Sequence, residues 1–150
     1  MVEEKLKELG LNLPEPATPV ASYIPCIKTG SLIFVSGQLP FKEGKLLYKG
    51  KVGKDITVEE GKLAAELCVL NALAVVKKEI GTLDKIKKII RVSGFVNCTE
   101  DFESQPQVIN GASDLLVNLF GDKGKHTRIA IGVNSLPLGS SVEIDFIFEI

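Results

Sequence analysis

From Val142 to Glu149 the chain alternates: Val142, Ile144, Phe146 and Phe148 against Glu143, Asp145 and Glu149. A period of two predicts a strand with one buried face and one face in polar surroundings. Thr127–Val133 predicts a companion strand, and Ile89–Asn97, nearly free of charge, a strand covered on both faces. Tyr23–Lys28 and Ser31–Ser36, separated by Thr29-Gly30, predict a hairpin, with a second at Phe41–Tyr48 around Glu43-Gly44. Two stretches change to helical spacing. The first opens on the capping box Thr57-Val58-Glu59-Glu60, carries Leu63, Leu67, Leu70 and Ala74 along one apolar face, and stops at Gly81. The second spans Gln105 to Phe120, with Ala112, Leu115, Leu116, Leu119 and Phe120 on one face and Gly121 ending it.

The remaining segments are less regular. Residues 2–9 can form two helical turns closed by Gly10, after which Pro14, Pro16 and Pro19 impose an extended path. This leader, residues 1–20, reads as an arm packed on the body or on a neighbouring subunit. Lys49–Asp55, with two glycines and three lysines, reads as a mobile surface loop. The element order is β-β-(β)-α-β-α-β-β in a single domain over residues 1–150. It predicts an α+β fold: a two-layer sandwich with two helices on one face of a mixed sheet.

Composition narrows the function classes. With 45% hydrophobic and 25% charged residues the chain is expected to fold rather than remain disordered. A net charge of −1 supplies no global field for nucleic acid. Apolar runs fall short of the ~20 residues that span a bilayer, and the charged start VEEKLKELG lacks an apolar signal core, so a cytoplasmic protein without a membrane partner is expected. Cys26, Cys68 and Cys98 are widely spaced and accompany one histidine, which argues for reduced packing cysteines and against a metal site. Gly44–Lys51 has the wrong spacing for a phosphate loop, and no Gly-x-Ser-x-Gly elbow occurs.

Candidate chemistry concentrates in KHTRIAIGVNSLPLGSSVEID, residues 125–145. Arg128 opens an apolar strand and can grip a carboxylate with its two-pronged guanidinium. Glu143, on what reads as the neighbouring strand, can hold a water. The alternative is that the two form a partly exposed cross-strand pair. Arg91, beside Lys87 and Lys88, reads as reaching solvent or an interface. His126, beside Lys123 and Lys125, reads as part of a solvated basic tip.

Four blocks, in order, carry a resemblance. Ser31–Pro40 ends in Ser-Gly-Gln-Leu-Pro; Phe95-Val96-Asn97 is followed by Asp101-Phe102; Arg128 is followed by Leu136-Pro137; and Val142–Asp145 closes the set, with Tyr23 ahead of the first block. Together they resemble the YjgF/RidA family of enamine/imine deaminases, also labelled endoribonuclease L-PSP and translation inhibitor. The resemblance implies a chorismate-mutase-like homotrimer with pockets between subunits. It implies hydrolysis of 2-imino or 2-enamino acids to 2-oxo acids and ammonia, with a small carboxylate substrate and no cofactor or metal. It assigns Arg128 as carboxylate anchor and Glu143 as the group beside the water. It also assigns Tyr23, Gly37 and Asn110 to substrate binding.

Each of these last three has a plain structural alternative: Tyr23 as an ordinary strand aromatic, Gly37 as a bulge or strand end, Asn110 as an exposed first-turn helix residue. The chain also departs from the family pattern. Ala130 and Gly132 stand where the best-studied branch has cysteine and glutamate, and the leader and residues 41–55 lengthen it. A longer, divergent branch is implied, and with it two rival functions: a trimer that binds 2-oxo acids without turnover, and a ribonuclease or translation inhibitor, which the absent basic and aromatic platform disfavours.

Overall fold

The computed structural model describes residues 1–18 and 21–150; Pro19, in the extended leader, lies outside the described residues. In order, the elements are α1 (Val2–Glu8), β1 (Cys26–Thr29), β2 (Leu32–Gln38), β3 (Phe41–Lys42), β4 (Lys45–Leu46), α2 (Val58–Ile80), β5 (Lys88–Asn97), α3 (Gln105–Phe120), β6 (Thr127–Val133) and β7 (Val142–Glu149). Five strands form one sheet in the order β1-β2-β7-β5-β6, and β3 and β4 form a separate small hairpin. Only β5 and β6 run parallel; their connection carries α3 across one face. The mixed sheet with α2 and α3 on the same side is the α+β sandwich expected. Among the described residues no helix is long and apolar enough to cross a membrane.

Local chemistry explains the helix starts. The Thr57 hydroxyl accepts from the Glu60 amide at 3.1 Å, and the Glu60 carboxylate accepts from the Thr57 amide at 3.1 Å, so two orphan donors of the first turn of α2 are satisfied. Val142, Ile144, Phe146 and Phe148 lie under the helices at 0–1% exposure, as the alternation of β7 predicts. Their face meets Ile33, Val35, Val92 and Val96 from the neighbouring strands.

Three expectations are corrected. The apolar face of α2 is only partly the Leu63 row: Leu70 and Ala74 are buried but Leu63 is 45% exposed, while Ala64, Ala65, Cys68, Val69, Ala72 and Leu73 are completely buried. Small residues let α2 approach the sheet and α3 closely, and the leucine row lines a groove under Leu11, Leu13 and the β3–β4 hairpin instead. The segment 49–55 is pinned rather than loose. Val52 is wholly buried, and the Lys51 ammonium donates to Asn97 Oδ1 at 3.0 Å and to the Asn134 carbonyl. The first strand begins at Cys26, so Tyr23 precedes it. Of the two homes expected for the leader, α1 takes the body of its own chain, burying Val2 and Leu6 and touching α3 and the turn at Leu83–Lys85.

Candidate active site

The sequence-predicted residues fall into two groups. The first is built on β6 and α3. Arg128 lies on the helix side of β6, the sheet's edge strand, where Ala130 also packs against the core. Asn110 and Ser113, three apart and therefore on one face of α3, meet it. Arg128 Nη1 donates to Asn110 Oδ1 at 2.7 Å and to Ser113 Oγ at 3.2 Å. Asn110 is thus half-buried against the arginine, not an idle residue at a helix start.

The second group is built on β2 and β7. Val35 pairs with Phe146 and Gln38 with Ile144, so one extra residue of β2 is accommodated between them. This bulge falls at Ser36-Gly37, as one reading of Gly37 anticipated. A Cβ at Gly37 would stand 2.7 Å from Glu143 Oε1, so only hydrogen there leaves space for the carboxylate. Burial, and then the charge of Asp145, push the Glu143 carboxyl above its ordinary range. Tyr23 is 58% exposed beyond β1, at the sheet edge opposite Arg128.

Within one chain the two groups do not meet. β5 lies between β6 and β7, which corrects the expectation of neighbouring strands and removes the cross-strand ion pair. Arg128 is level with Val92 on β5 and Glu143 with Phe95. An odd offset of three places the two side chains on opposite faces of the sheet. Their Cα atoms are then roughly 14 Å apart by strand geometry.

Two residues escaped the sequence reading. His126 is no solvated tip: its Nδ1 is 2.6 Å from the Gly124 carbonyl and its Nε2 is 2.9 Å from Ser113 Oγ. Burial first, and Arg128's charge after it, hold its pKa below the ordinary range, against the opposing pull of the Gly124 hydrogen bond. Lys123 and Lys125 are exposed, as expected of that turn. His126 stands just before β6, two residues from Arg128, and that nearness in sequence was the one usable signal; Ser113 gave none. At Gly132 a Cβ would meet Cys98 Sγ at 2.8 Å and Gln105 Nε2 at 2.9 Å. A side chain at Gly132 would therefore have to displace the ends of the Cys98 and Gln105 side chains.

Gly37→Ala should push the Glu143 carboxylate aside. The clash is with the end of a flexible side chain, so thermal stability should change little while any activity that needs Glu143 falls at least tenfold. Unchanged turnover in a well-folded Gly37→Ala protein would separate Gly37 from the site.

The chain matches the family model described as "YjgF/chorismate_mutase-like, putative endoribonuclease" over residues 3–150. It is 38% identical over 150 residues to Protein TCP17 of Trypanosoma cruzi, covering 99% of this chain and 94% of that one. The structure is similar to that of the protein Atu1372 of Agrobacterium tumefaciens, with TM-score 0.94 and 47% identity over 99% of this chain and 92% of that one. It is similar also to a Shewanella oneidensis MR-1 protein carrying the same endoribonuclease description, with TM-score 0.96 and 39% identity over 100% and 99% of the two chains. With the fold, the four sequence blocks and these matches in agreement, the chain belongs to the YjgF/RidA family.

Proposed function

We propose that this protein is a cofactor-free hydrolase that converts reactive 2-imino and 2-enamino acids to 2-oxo acids and ammonia in the cytosol. The observation that carries this reading is the division of the site. An arginine held by Asn110 and Ser113 occupies one edge of the sheet, and a carboxylate of raised pKa beside Gly37 occupies its other face. Each half lacks what the other has, so a pocket between two copies of the chain would be complete. The open sheet face supports such an assembly: Ile27, Phe34, Ile129 and Ile131 are 38–55% exposed there, a spread of apolar surface that a partner would cover. A homotrimer closes that face without leaving an unpaired half-site.

In this mechanism Arg128 grips the substrate carboxylate, and Tyr23 and Asn110 border the pocket. The 2-iminium carbon is already electrophilic. Water attacks it while Glu143 takes a water proton, giving a carbinolamine; the proton then passes to nitrogen. As the C–N bond breaks and ammonia leaves, Glu143 takes the proton of the remaining hydroxyl, whose oxygen becomes the carbonyl, and that proton passes to ammonia. The sum is iminium plus water giving 2-oxo acid plus ammonium. A raised carboxylate pKa makes Glu143 a better proton acceptor than an ordinary surface glutamate.

Glu143→Gln tests both sides of this assignment. A carboxyl whose folded pKa exceeds its unfolded value contributes most below the unfolded pKa and loses that contribution as pH rises through the folded one. At pH 7 the ionised form is therefore a burden on the fold. Glu143→Gln should lose turnover and melt higher than wild type at pH 7, with the gap narrowing as pH falls towards 4. Equal melting temperatures across that range would show that Glu143 is not held at a stability cost.

The deciding experiment couples the protein to an amino-acid oxidase or a dehydratase that generates imines in place, and times 2-oxo acid release over small and bulky substrates. Acceleration supports hydrolysis. No acceleration together with measurable 2-oxo acid binding would favour the non-catalytic metabolite binder. Sedimentation equilibrium should find three times the 16.2 kDa chain mass; a monomer that deaminates would overturn the shared pocket.

A further inference from the structure

An arginine near a strand edge is a poor anchor unless something holds it, since its side chain carries about 2 kcal/mol of rotamer entropy. Here the holding is done by a directed chain of hydrogen bonds. The Gly124 carbonyl can only accept, so His126 carries its proton on Nδ1. In the neutral ring Nε2 then accepts, and the Ser113 hydroxyl donates to it at 2.9 Å. That leaves a Ser113 lone pair for one Nη1 hydrogen of Arg128, at 3.2 Å. The other Nη1 hydrogen goes to Asn110 Oδ1 at 2.7 Å. Both hydrogens of Nη1 are thus committed.

Among the described residues Nε and Nη2 have no partner, and these two nitrogens form one of the guanidinium edges that receive a carboxylate side-on. The far end of the chain is equally fixed. Gly124 is buried, and a Cβ there would stand 2.8 Å from Val117 Cα, so the anchoring carbonyl is wedged against α3.

We infer that Ser113 and His126 are positioning residues that lock Arg128 with its Nε–Nη2 edge presented to the substrate carboxylate. This rests on the reading of Arg128 as the carboxylate anchor. The lock sets the orientation of the guanidinium before binding, so its loss should appear in affinity and KM rather than in kcat.

The test exploits scarcity: the chain has one histidine and two arginines, so their side-chain nitrogen resonances can be followed individually. Nitrogen-15 spectra should show a neutral imidazole protonated on Nδ1. In the cold the Arg128 Nη1 and Nη2 resonances should be resolved, and Ser113→Ala or His126→Ala should merge them. Titrated with 2-oxobutanoate, Ser113→Ala should weaken binding roughly fivefold to tenfold, the effect of one hydrogen bond in a partly buried site. His126→Gln, which keeps an acceptor for Ser113, should recover most of what His126→Ala loses. Ser113→Ala should add nothing in an Arg128→Lys background. An Nε2-protonated ring, or Nη resonances unaffected by Ser113→Ala, would overturn the lock. If the wild type shows the lock but does not bind 2-oxobutanoate, the carboxylate reading fails and the positioning of Arg128 stands.

Discussion

Arg128→Ala is expected to lower kcat/KM for 2-imino acids by about two to three orders of magnitude. The estimate takes two hydrogen bonds to a charged group, together about 3–4 kcal/mol, at 1.36 kcal/mol per decade. Arg128→Lys keeps the charge but loses the fork, and should recover no more than about tenfold of the loss. Neither change should unfold the protein, because Arg128 is only half-buried and its partners Asn110 and Ser113 can turn to water. Initial rates in the coupled assay, with binding of 2-oxobutanoate as an independent check, read the effect. A loss below about threefold in both would remove Arg128 from the site.

Gly111→Ala should cause the largest loss of stability. Gly111 lies where α3 crosses α2, and a Cβ there would stand 2.7 Å from Lys62 Cα and 2.8 Å from Lys62 C, against the carbonyl oxygen as well. These are backbone atoms of the second turn of α2, so relief requires the helices to separate. Overpacking of this kind costs about 1–3 kcal/mol and sometimes more, which overrides the ~1 kcal/mol that alanine gains over glycine in a helix. We expect a net loss of about 1–2 kcal/mol, towards the upper end of that balance because the clashing atoms are backbone, or roughly 3–8 °C in Tm for a chain of this size. The displacement would also carry Asn110 and Ser113 away from Arg128, so affinity for the carboxylate should fall with it. A Tm equal to or above wild type would mean that the helices do not touch there.

Much of this architecture is written in local pattern. The alternation of Val142, Ile144, Phe146 and Phe148 settles which face of β7 is buried, because a strand's side chains can only alternate. The Thr57–Glu60 box marks the start of α2 because its hydrogen bonds close within one turn. Arg128 and Glu143 stand out because a charged residue inside an apolar strand needs a reason.

Other features depend on what lies across the chain. α2 is apolar around most of its circumference, and periodicity alone could not rank the Leu63–Leu67–Leu70 row against the smaller Ala64–Ala65–Cys68 face. Close packing against the sheet and α3 chose the small residues. Lys51 and Val52 look like a loose loop until the carbonyl of Asn134 and the side chain of Asn97 are in place to receive the ammonium. His126 looks like one more basic residue of a turn until α3 brings Ser113 to its Nε2.

The sequence by itself determined most of the strands and helices and the buried face of β7, and it singled out Arg128 and Glu143, since those follow from spacing along the chain. Only the tertiary structure decided that β5 separates β6 from β7, that Arg128 and Glu143 leave opposite faces of the sheet, and that Ser113 and His126 stand behind the arginine. Strand order and helix docking follow from burial summed over the whole core, and no local window of residues carries that sum.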